Sequence, residues 1–350
     1  MGHSTGIPTL NIIGIDLGKR SFHVYGNTPV GQSTIDRQIT RKQLRALFIT
    51  LPPSIVAMEA CASAHYWGRT AKQAGHEVRL MAPQFVKPYV KSNKNDRLDA
   101  QAIWEAVQRP NMRFVAVKTL EQHDIQSLHR IRSRVVKNRT ALTNQIQGLL
   151  LEYGLTTRPG RQTLRRHIPE ILEDAENGLT IRFRQMLAEL YRELVQLDER
   201  VTHLDDQVNQ VVKSNKDCQR LMTIPGVGPL GATALYAAIG DINLFKNGRE
   251  LAAWLGLVPR QYSTGGKPRL LGISKRGDVY LRTLLIHGAR AALRVIDKKQ
   301  DKRSLWAQDV IVRRNKNIAA VAMANKTARV AYAMLKHQDD YRPDHVLKPC

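Results

Sequence analysis

In Asn95-Asp96-Arg97-Leu98-Asp99-Ala100 two carboxylates stand three positions apart, a spacing that puts both on one face of a helix. Two further acids close apolar runs: Asp16 in Asn11-Ile-Ile-Gly-Ile-Asp16 and Glu59 in Ile55-Val-Ala-Met-Glu59. Short apolar runs bounded by turn residues read as buried strands, so Asp16 and Glu59 would project from strand ends where a sheet opens to solvent. Carboxylate oxygens are hard ligands that suit Mg2+ or Mn2+, and such ions assist the attacking and leaving oxygens of a phosphodiester. Asp16, Glu59, Asp96 and Asp99 are therefore candidate catalytic metal ligands for phosphoryl transfer on nucleic acid. A plainer reading makes Asp96 and Asp99 an N-cap and a first-turn acid, both common at helix starts.

A second constellation lies in Gly256-Leu-Val-Pro-Arg-Gln-Tyr-Ser-Thr-Gly-Gly-Lys-Pro-Arg-Leu-Leu-Gly-Ile-Ser-Lys-Arg-Gly277, which joins hydroxyls, paired glycines and basic side chains. A serine attacks a phosphodiester only if it is deprotonated or metal-activated and if developing negative charge meets cationic or N–H donors. Ser263 with Lys267, Arg269, Lys275 and Arg276 could meet that demand. Without context the same residues form a flexible basic turn.

Those groups need a scaffold, and composition bounds it. The chain has 350 residues, long enough for two or three domains, and 54 Lys and Arg against 30 Asp and Glu, a net charge of +24. Polyanions are the natural partner of such a chain, with binding that weakens steeply as salt rises. No apolar run reaches the roughly 18 residues of a membrane span, and the N-terminal residues lack a charged-then-apolar leader pattern. Cys61, Cys218 and Cys350 are scattered, which points to neither a disulfide framework nor a thiolate zinc site and suits a reducing cytoplasm. The 11 histidines show no metalloprotease spacing, and nothing around Cys61 marks it as a nucleophile.

From Leu10 to about Val117 short apolar runs alternate with helical patterns, predicting an α/β domain. Its strands are expected at Asn11–Ile15, Ser21–Tyr25, Ile55–Met58 and Val78–Met81, and its helices near 40–50, 65–75 and 96–108. From about Glu121 to Lys213 the pattern is helical. Leu187, Leu190, Leu194, Leu197, Val201, Leu204, Val208 and Val211 make a heptad seam, and Leu128, Val135, Leu142 and Leu149 recur at seven-residue steps. These two helices can pair antiparallel within one subunit or join subunits. Between them the arginines around Pro159-Gly160 read as a solvated loop or as a backbone contact to nucleic acid. Leu221-Met-Thr-Ile-Pro-Gly-Val-Gly-Pro-Leu-Gly reads as a helix-hairpin-helix, whose turn at Gly226 and Gly228 would offer N–H groups to a phosphate; alternatively, the glycines only let two helices pack closely. A further helix is expected from about Asn317 to Lys336.

Taken together, Gly-Ile-Asp16, Met-Glu59-Ala, Asn-Lys-Asn-Asp96-Arg-Leu-Asp99-Ala, Ile-Pro-Gly-Val-Gly, Ala253-Trp-Leu-Gly-Leu-Val-Pro-Arg and Ile273-Ser-Lys-Arg-Gly-Asp resemble, in order and spacing, the bacterial insertion-sequence transposases of family one-ten, understood as bridge-RNA-guided DNA recombinases. The resemblance covers nearly the whole chain. It implies a ribonuclease H-like catalytic domain over 1–117 whose Asp-Glu-Asp-Asp set maps onto Asp16, Glu59, Asp96 and Asp99. It further implies a coiled-coil region over 118–215, a mainly helical transposase domain over 216–300 with the helix-hairpin-helix and a catalytic serine loop, and a helical segment over 301–350. The implied partners are donor and target DNA, a guide RNA and further copies of the chain, as a dimer or a tetramer. The implied cofactor is Mg2+ or Mn2+, and the setting is bacterial cytoplasm with no membrane. Counting back from Gly265 in the family pattern can put Thr264 at the position of the implied catalytic serine; Ser263 is taken as the nucleophile because a primary hydroxyl is less crowded at phosphorus, with Thr264 as the alternative. A metal-dependent nuclease or junction resolvase using water would need the same acids, and a binding scaffold would need only the basic surface.

Overall fold

The computed structural model describes residues 11–27, 34–90, 95–158 and 160–343. Leu10, Asn93, Lys94, Pro159 and Cys350, which figure in the motifs above, lie outside the described residues. The chain divides into two compact units: one runs to Glu121 and includes Ile239–Lys246, and the other comprises Gln122–Ala238 and the chain from Asn247 onward.

In the first unit β1 (Asn11–Leu17), β2 (Ser21–Asn27) and β3 (Thr34–Thr40) precede α1 (Arg41–Thr50), β4 (Ser54–Glu59), α2 (Ala64–Gln73), β5 (Glu77–Met81), α3 (Pro83–Val86), α4 (Asp96–Val107) and β6 (Phe114–Val115). The strands form one sheet in the order β3-β2-β1-β4-β5-β6. It is a mixed sheet: β4 runs parallel to both β1 and β5, whereas β2, β3 and β6 pair antiparallel. The strands outrun the apolar runs that announce them, because ladder pairing carries β1 on to Leu17 and β4 on to Glu59. β3 is not among the strands expected from apolar runs; of its interior residues only Ile39 is buried, so its pairing with β2 comes from the ladder more than from apolar content.

Successive residues of a strand face opposite sides, so each face has its own core. Ile13, Ile15, Phe22, Val24, Val56 and Met58 pack with Leu44 and Phe48 of α1 and with Trp67 and Ala71 of α2. Ile55, Ala57 and Met81 face the other way, onto Ala102, Ile103 and Ala106 of α4. Each fully buried large side chain contributes roughly 1.5–3 kcal/mol, so both layers are firmly held. α4 lies very close to the sheet. A methyl group built on Gly14 would come within 2.5 Å of the Ala100 carbonyl oxygen and 2.7 Å of the Trp104 backbone nitrogen. The Trp104 indole donates to the Ile12 carbonyl at 3.1 Å, fixing the helix along β1.

In the second unit α5 (Leu120–Leu151), α6 (Arg161–Glu173) and α7 (Ile181–Ser214) come first, then α8 (Lys216–Met222), α9 (Pro229–Ile239), α10 (Gly248–Trp254), β7 (Pro259–Thr264), β8 (Lys267–Ile273), α11 (Val279–Leu293), α12 (Lys302–Arg313) and α13 (Lys316–His337). At 32 and 34 residues, α5 and α7 are each about 50 Å long. Their seam closes within the chain: Val135 packs with Val201 and Leu204, and Leu142 and Ile146 with Leu187 and Leu194, an antiparallel arrangement. The arginines expected on a loop partly belong to α6, where Arg161 and Arg165 join Arg139 of α5 on the buried Asp198 carboxylate of α7. Two of those cations are thus engaged inside the protein, while Arg158 and Arg166 remain exposed.

His129 ties α5 to the helices that follow. Its Nε2 donates to Thr233 Oγ1 at 2.9 Å, the Thr233 hydroxyl donates to the Pro229 carbonyl at 2.8 Å, and Nδ1 is left to accept from the Tyr280 hydroxyl at 2.9 Å. Burial, helped by the nearby Arg132, pushes its pKa down to about 4, so the ring sits neutral in this network. α13 packs along α11 and α10.

The tight fit at Gly14 yields a test. Gly14→Ala should lower the stability of the protein by about 1–3 kcal/mol through overpacking, read as a lower melting temperature. Unchanged melting would show that α4 has room to spare.

Candidate metal centre and nucleic-acid surfaces

Gly14 places α4 on β1 with the helix running opposite to the strand, so the two residues that follow Gly14 lead toward the first turn of the helix. Asp16 shares the face of Gly14, and Asp96 and Asp99 occupy that first turn. Carboxylate oxygens of Asp16, Asp96 and Asp99 lie within 4.8 Å of one another. Glu59 shares the face of Ala57 on the neighbouring parallel strand, one residue beyond the pairing of Ile15 with Met58. It falls outside the tight three-acid set among the described residues, yet it is near enough to act electrically on Asp16 and to feel Asp99.

The N-cap of α4 is Asn95, whose side chain accepts from the Arg97 backbone N–H at 3.0 Å. Asp96 is therefore not spent on capping, and its carboxylate is left to face Asp16. Burial, then the charges of Asp99, Asp96 and Glu59, raise the Asp16 pKa to about 6. Burial and Asp99 raise Glu59 as well. Two like charges about 4 Å apart repel by on the order of 4 kcal/mol at an effective dielectric constant near 20. Only packing holds such groups together, and a bound divalent cation would reverse the sign of the interaction. A hard, all-carboxylate donor set of this kind fits Mg2+ or Mn2+.

Two neighbours escaped the sequence reading. His23 is the cross-strand partner of Asp16, and its Nε2 lies 2.8 Å from Asp36 Oδ1. Asp36 also takes the Arg97 guanidinium at 2.6 Å, and the His23 bond, followed by Arg97, lowers its pKa. Arg97 is thus held from β3 at the first turn of α4, between the two acids in sequence. The tight turn at Gly18 was the available signal: pairing Leu17 with Phe22 across it puts His23 opposite Asp16. The thiol of Cys61 is pushed up by burial, then by Glu59 and Asp16, the reverse of nucleophile activation.

In the second unit Ser263 sits on a β-hairpin rather than an irregular loop. Gly265 and Gly266, with φ of +58° and +75°, make its two-residue turn, a geometry that glycine adopts without strain. Pairing of Tyr262 with Arg269 and Thr264 with Lys267 puts those four side chains on one face. Ser263 takes the other face with its partner Pro268, so Lys267 and Arg269 stand with Thr264. Every residue of β7 is exposed, so the hairpin buries almost nothing of its own. Ser263 Oγ accepts from Gln261 Nε2 at 2.8 Å, and no carboxylate or imidazole among the described residues is hydrogen-bonded to it.

The base of the hairpin is rigid. A Cβ on Gly256 would strike the Arg276 carbonyl at 1.9 Å, and one on Gly277 the Trp254 carbonyl at 1.9 Å. Buried Arg282 donates to the carbonyls of Leu255 and Arg276 at 3.2 and 3.1 Å. Lys275 and Arg276 thus have a locked backbone and exposed side chains. At the helix-hairpin-helix turn the glycines divide. Gly226, with φ of +90°, and Gly288 of α11 meet backbone to backbone, so close packing accounts for Gly226, whereas a Cβ on Gly228 would find open space.

Comparison with known proteins bears on these surfaces. A transposase profile of the DEDD, IS110 type matches residues 13–155, and the profile of the transposase IS116/IS110/IS902 family matches residues 218–304. A probable family 20 transposase of Pseudomonas aeruginosa is 50% identical, covering 95% of this chain and 99% of its own length. The transposase for insertion sequence element IS1111A of Coxiella burnetii is 50% identical over 95% of this chain and 92% of its own, and that of IS1328 of Yersinia enterocolitica 40% identical over 94% and 97%. No helix among the described residues is long and apolar enough to cross a membrane. The chain belongs to the IS110/IS116/IS902 family of insertion-sequence transposases, enzymes that transfer DNA strands.

Proposed function

We propose that the chain recombines donor and target DNA under the direction of a bridge RNA, through a covalent link between Ser263 and a DNA phosphate. The observation that carries the reading is the convergence of Asp16, Asp96 and Asp99 beside Glu59, in a family of strand-transferring enzymes. The sheet order, with the antiparallel β2 and β3 on one side of β1 and the parallel β4 and β5 on the other before the short antiparallel β6, supports a ribonuclease H-like first domain. Asp16, Asp96, Asp99 and Glu59 would hold Mg2+ or Mn2+, which supplies charge neutralisation at a phosphodiester and acidifies a bound hydroxyl.

The Ser263 oxygen then attacks phosphorus. A Ser–O–P bond forms as the Ser263 O–H bond and one P–O bond to deoxyribose break; the Ser263 proton passes to solvent, and the departing sugar oxygen takes one proton from solvent in its place. The ester retains the energy of the broken bond for rejoining. Gln261 positions the hydroxyl, and its activation is assigned to the acids and the ion they would hold. Lys267, Arg269, Lys275 and Arg276 grip the backbone, with Gly228 offering an open turn to a phosphate. No base-reading motif is present, which fits target choice by nucleic-acid pairing while the protein holds shape and charge. The acids and the serine belong to different units of the chain, and the reading includes a composite site built from two subunits, with α5 and α7 as a coiled coil setting the spacing in a dimer or a tetramer. One observation favours a second assignment of the nucleophile: Thr264, not Ser263, shares its face with Lys267 and Arg269.

Asp16→Asn and Asp99→Asn should each abolish recombination while leaving RNA binding within about twofold, since most positive charge remains. Recombination at the normal rate in either variant would refute the metal assignment. Because a proton competes for Asp16 with a pKa near 6, Mn2+ affinity followed by titration calorimetry should fall about tenfold as pH drops from about 7 to about 5. A pH-independent affinity would remove Asp16 from the site. Ser263→Ala should eliminate the denaturant-resistant protein–DNA adduct. Loss of the adduct only in Thr264→Ala would move the nucleophile by one residue, and strand cleavage with no adduct in the unaltered protein would make water the nucleophile.

A further inference from the structure

A cavity of about 390 Å³ opens where α12 and α13 meet the chain that follows them, in the size range of small-ligand sites of about 300–1,000 Å³. Its cationic wall holds Arg303, Lys326 and Arg329. Arg303 is only 8% exposed; one of its nitrogens donates to Thr327 Oγ1 at 2.6 Å, while Nε and Nη1 are buried with no hydrogen-bond partner. Leaving a guanidinium in that condition costs free energy unless a ligand answers it. Lys326 forms no ion pair with a described residue, and burial, with Arg303 and Arg329 nearby, holds it below the usual lysine range. Two acids line the rim, Asp339 and Asp340, both exposed, and Asp340 lies 3.7 Å from Arg220.

Aromatic and apolar side chains stand beside these cations. The Lys326 ammonium lies 3.7 Å from the centre of the Trp306 ring, Tyr341 stands 6.0 Å from the Arg303 guanidinium, and Val330 and Met334 complete the lining. Cations alone would suit any anion. Cations beside flat rings in one small cavity suit an anion joined to a planar heterocycle.

We propose that this cavity binds one unpaired nucleotide of a nucleic-acid strand, its phosphate on Arg303, Lys326 and Arg329 and its base against Tyr341 and Trp306. A base inside a duplex cannot enter, so the site selects single-stranded or looped segments. The inference rests on the chain acting on nucleic acid, but not on the strand-exchange chemistry of Asp16 and Ser263, from which it is separable by experiment.

The test uses the full chain with three probes of one sequence: single-stranded RNA, single-stranded DNA and duplex DNA. Ultraviolet cross-linking followed by peptide mapping should place a single strand on Tyr341 or Trp306, and the cross-link should vanish in Lys326→Gln. Single-strand affinity should fall about tenfold in Lys326→Gln and Tyr341→Ala, as expected for one charge-assisted contact or one stacked base, with duplex affinity within about twofold. Arg303→Gln is the more direct change but can disturb folding, so the two more exposed positions carry the test, with melting curves as control. Cross-linking by RNA alone or by DNA alone supports the site and identifies the strand. Absence of any cross-link at Trp306 or Tyr341, or equal loss of single-strand and duplex affinity, overturns it. Asp16→Asn protein that still cross-links there would separate this site from the recombination chemistry.

Discussion

The contact between α4 and β1 at Gly14 is the constraint on which the first unit depends. Carboxylates that repel one another do not gather unless a larger favourable term forces them. Here that term is the apolar layer of Ile55, Ala57, Met81, Ala102, Ile103 and Ala106, which seats the helix on the sheet. A strand residue without a side chain lets the helix backbone approach until its first turn stands over the end of β1. The Arg97 pair with Asp36 and the Asn95 cap then fix that turn. The elevated pKa of Asp16 reflects its burial first and the neighbouring charges of Asp99, Asp96 and Glu59 second.

The second unit works with the opposite sign. Its hairpin carries hydroxyls and cations on strands with almost no core, anchored at the base by glycine backbones in direct contact and by a buried arginine. Rigidity below and exposure above suit a surface that meets a polyanion. Not every cation is available for that purpose. Asp198 draws in Arg139, Arg161 and Arg165, and breaking such a buried group would leave charge uncompensated. Net charge therefore overstates the binding surface, and burial decides which arginines count.

Much of this was legible before any coordinates. The apolar runs ending in Asp16 and Glu59 announced β1 and β4, because a strand buried on both faces needs unbroken apolar content. The heptad steps from Leu187 to Val208 announced a long helix with a buried seam. Less legible was β3, whose interior buries only Ile39 and which is held by ladder bonds to β2. The Ser263 segment read as a flexible turn because its glycines and cations lack apolar alternation, yet two glycines at positive φ are what a tight hairpin needs. His23 and Asp36 stayed unremarked because their roles depend on register across the sheet.

By itself the sequence determined which chemistry is available: four acids at strand ends and a helix start, hydroxyls among glycines and cations, and a large positive charge. Residue type and local periodicity carry that information directly. Tertiary structure alone decided which groups meet. It joined Asp16 to Asp96 and Asp99 across about 80 residues of chain, set Glu59 slightly apart, turned Lys267 and Arg269 toward Thr264, committed Gly226 to Gly288, and buried two nitrogens of Arg303 without a hydrogen-bond partner. The physical reason is that distance along a chain says little about distance in space. Packing of elements brought in from far along the chain sets the local field, and with it the protonation and hydrogen bonding of each group.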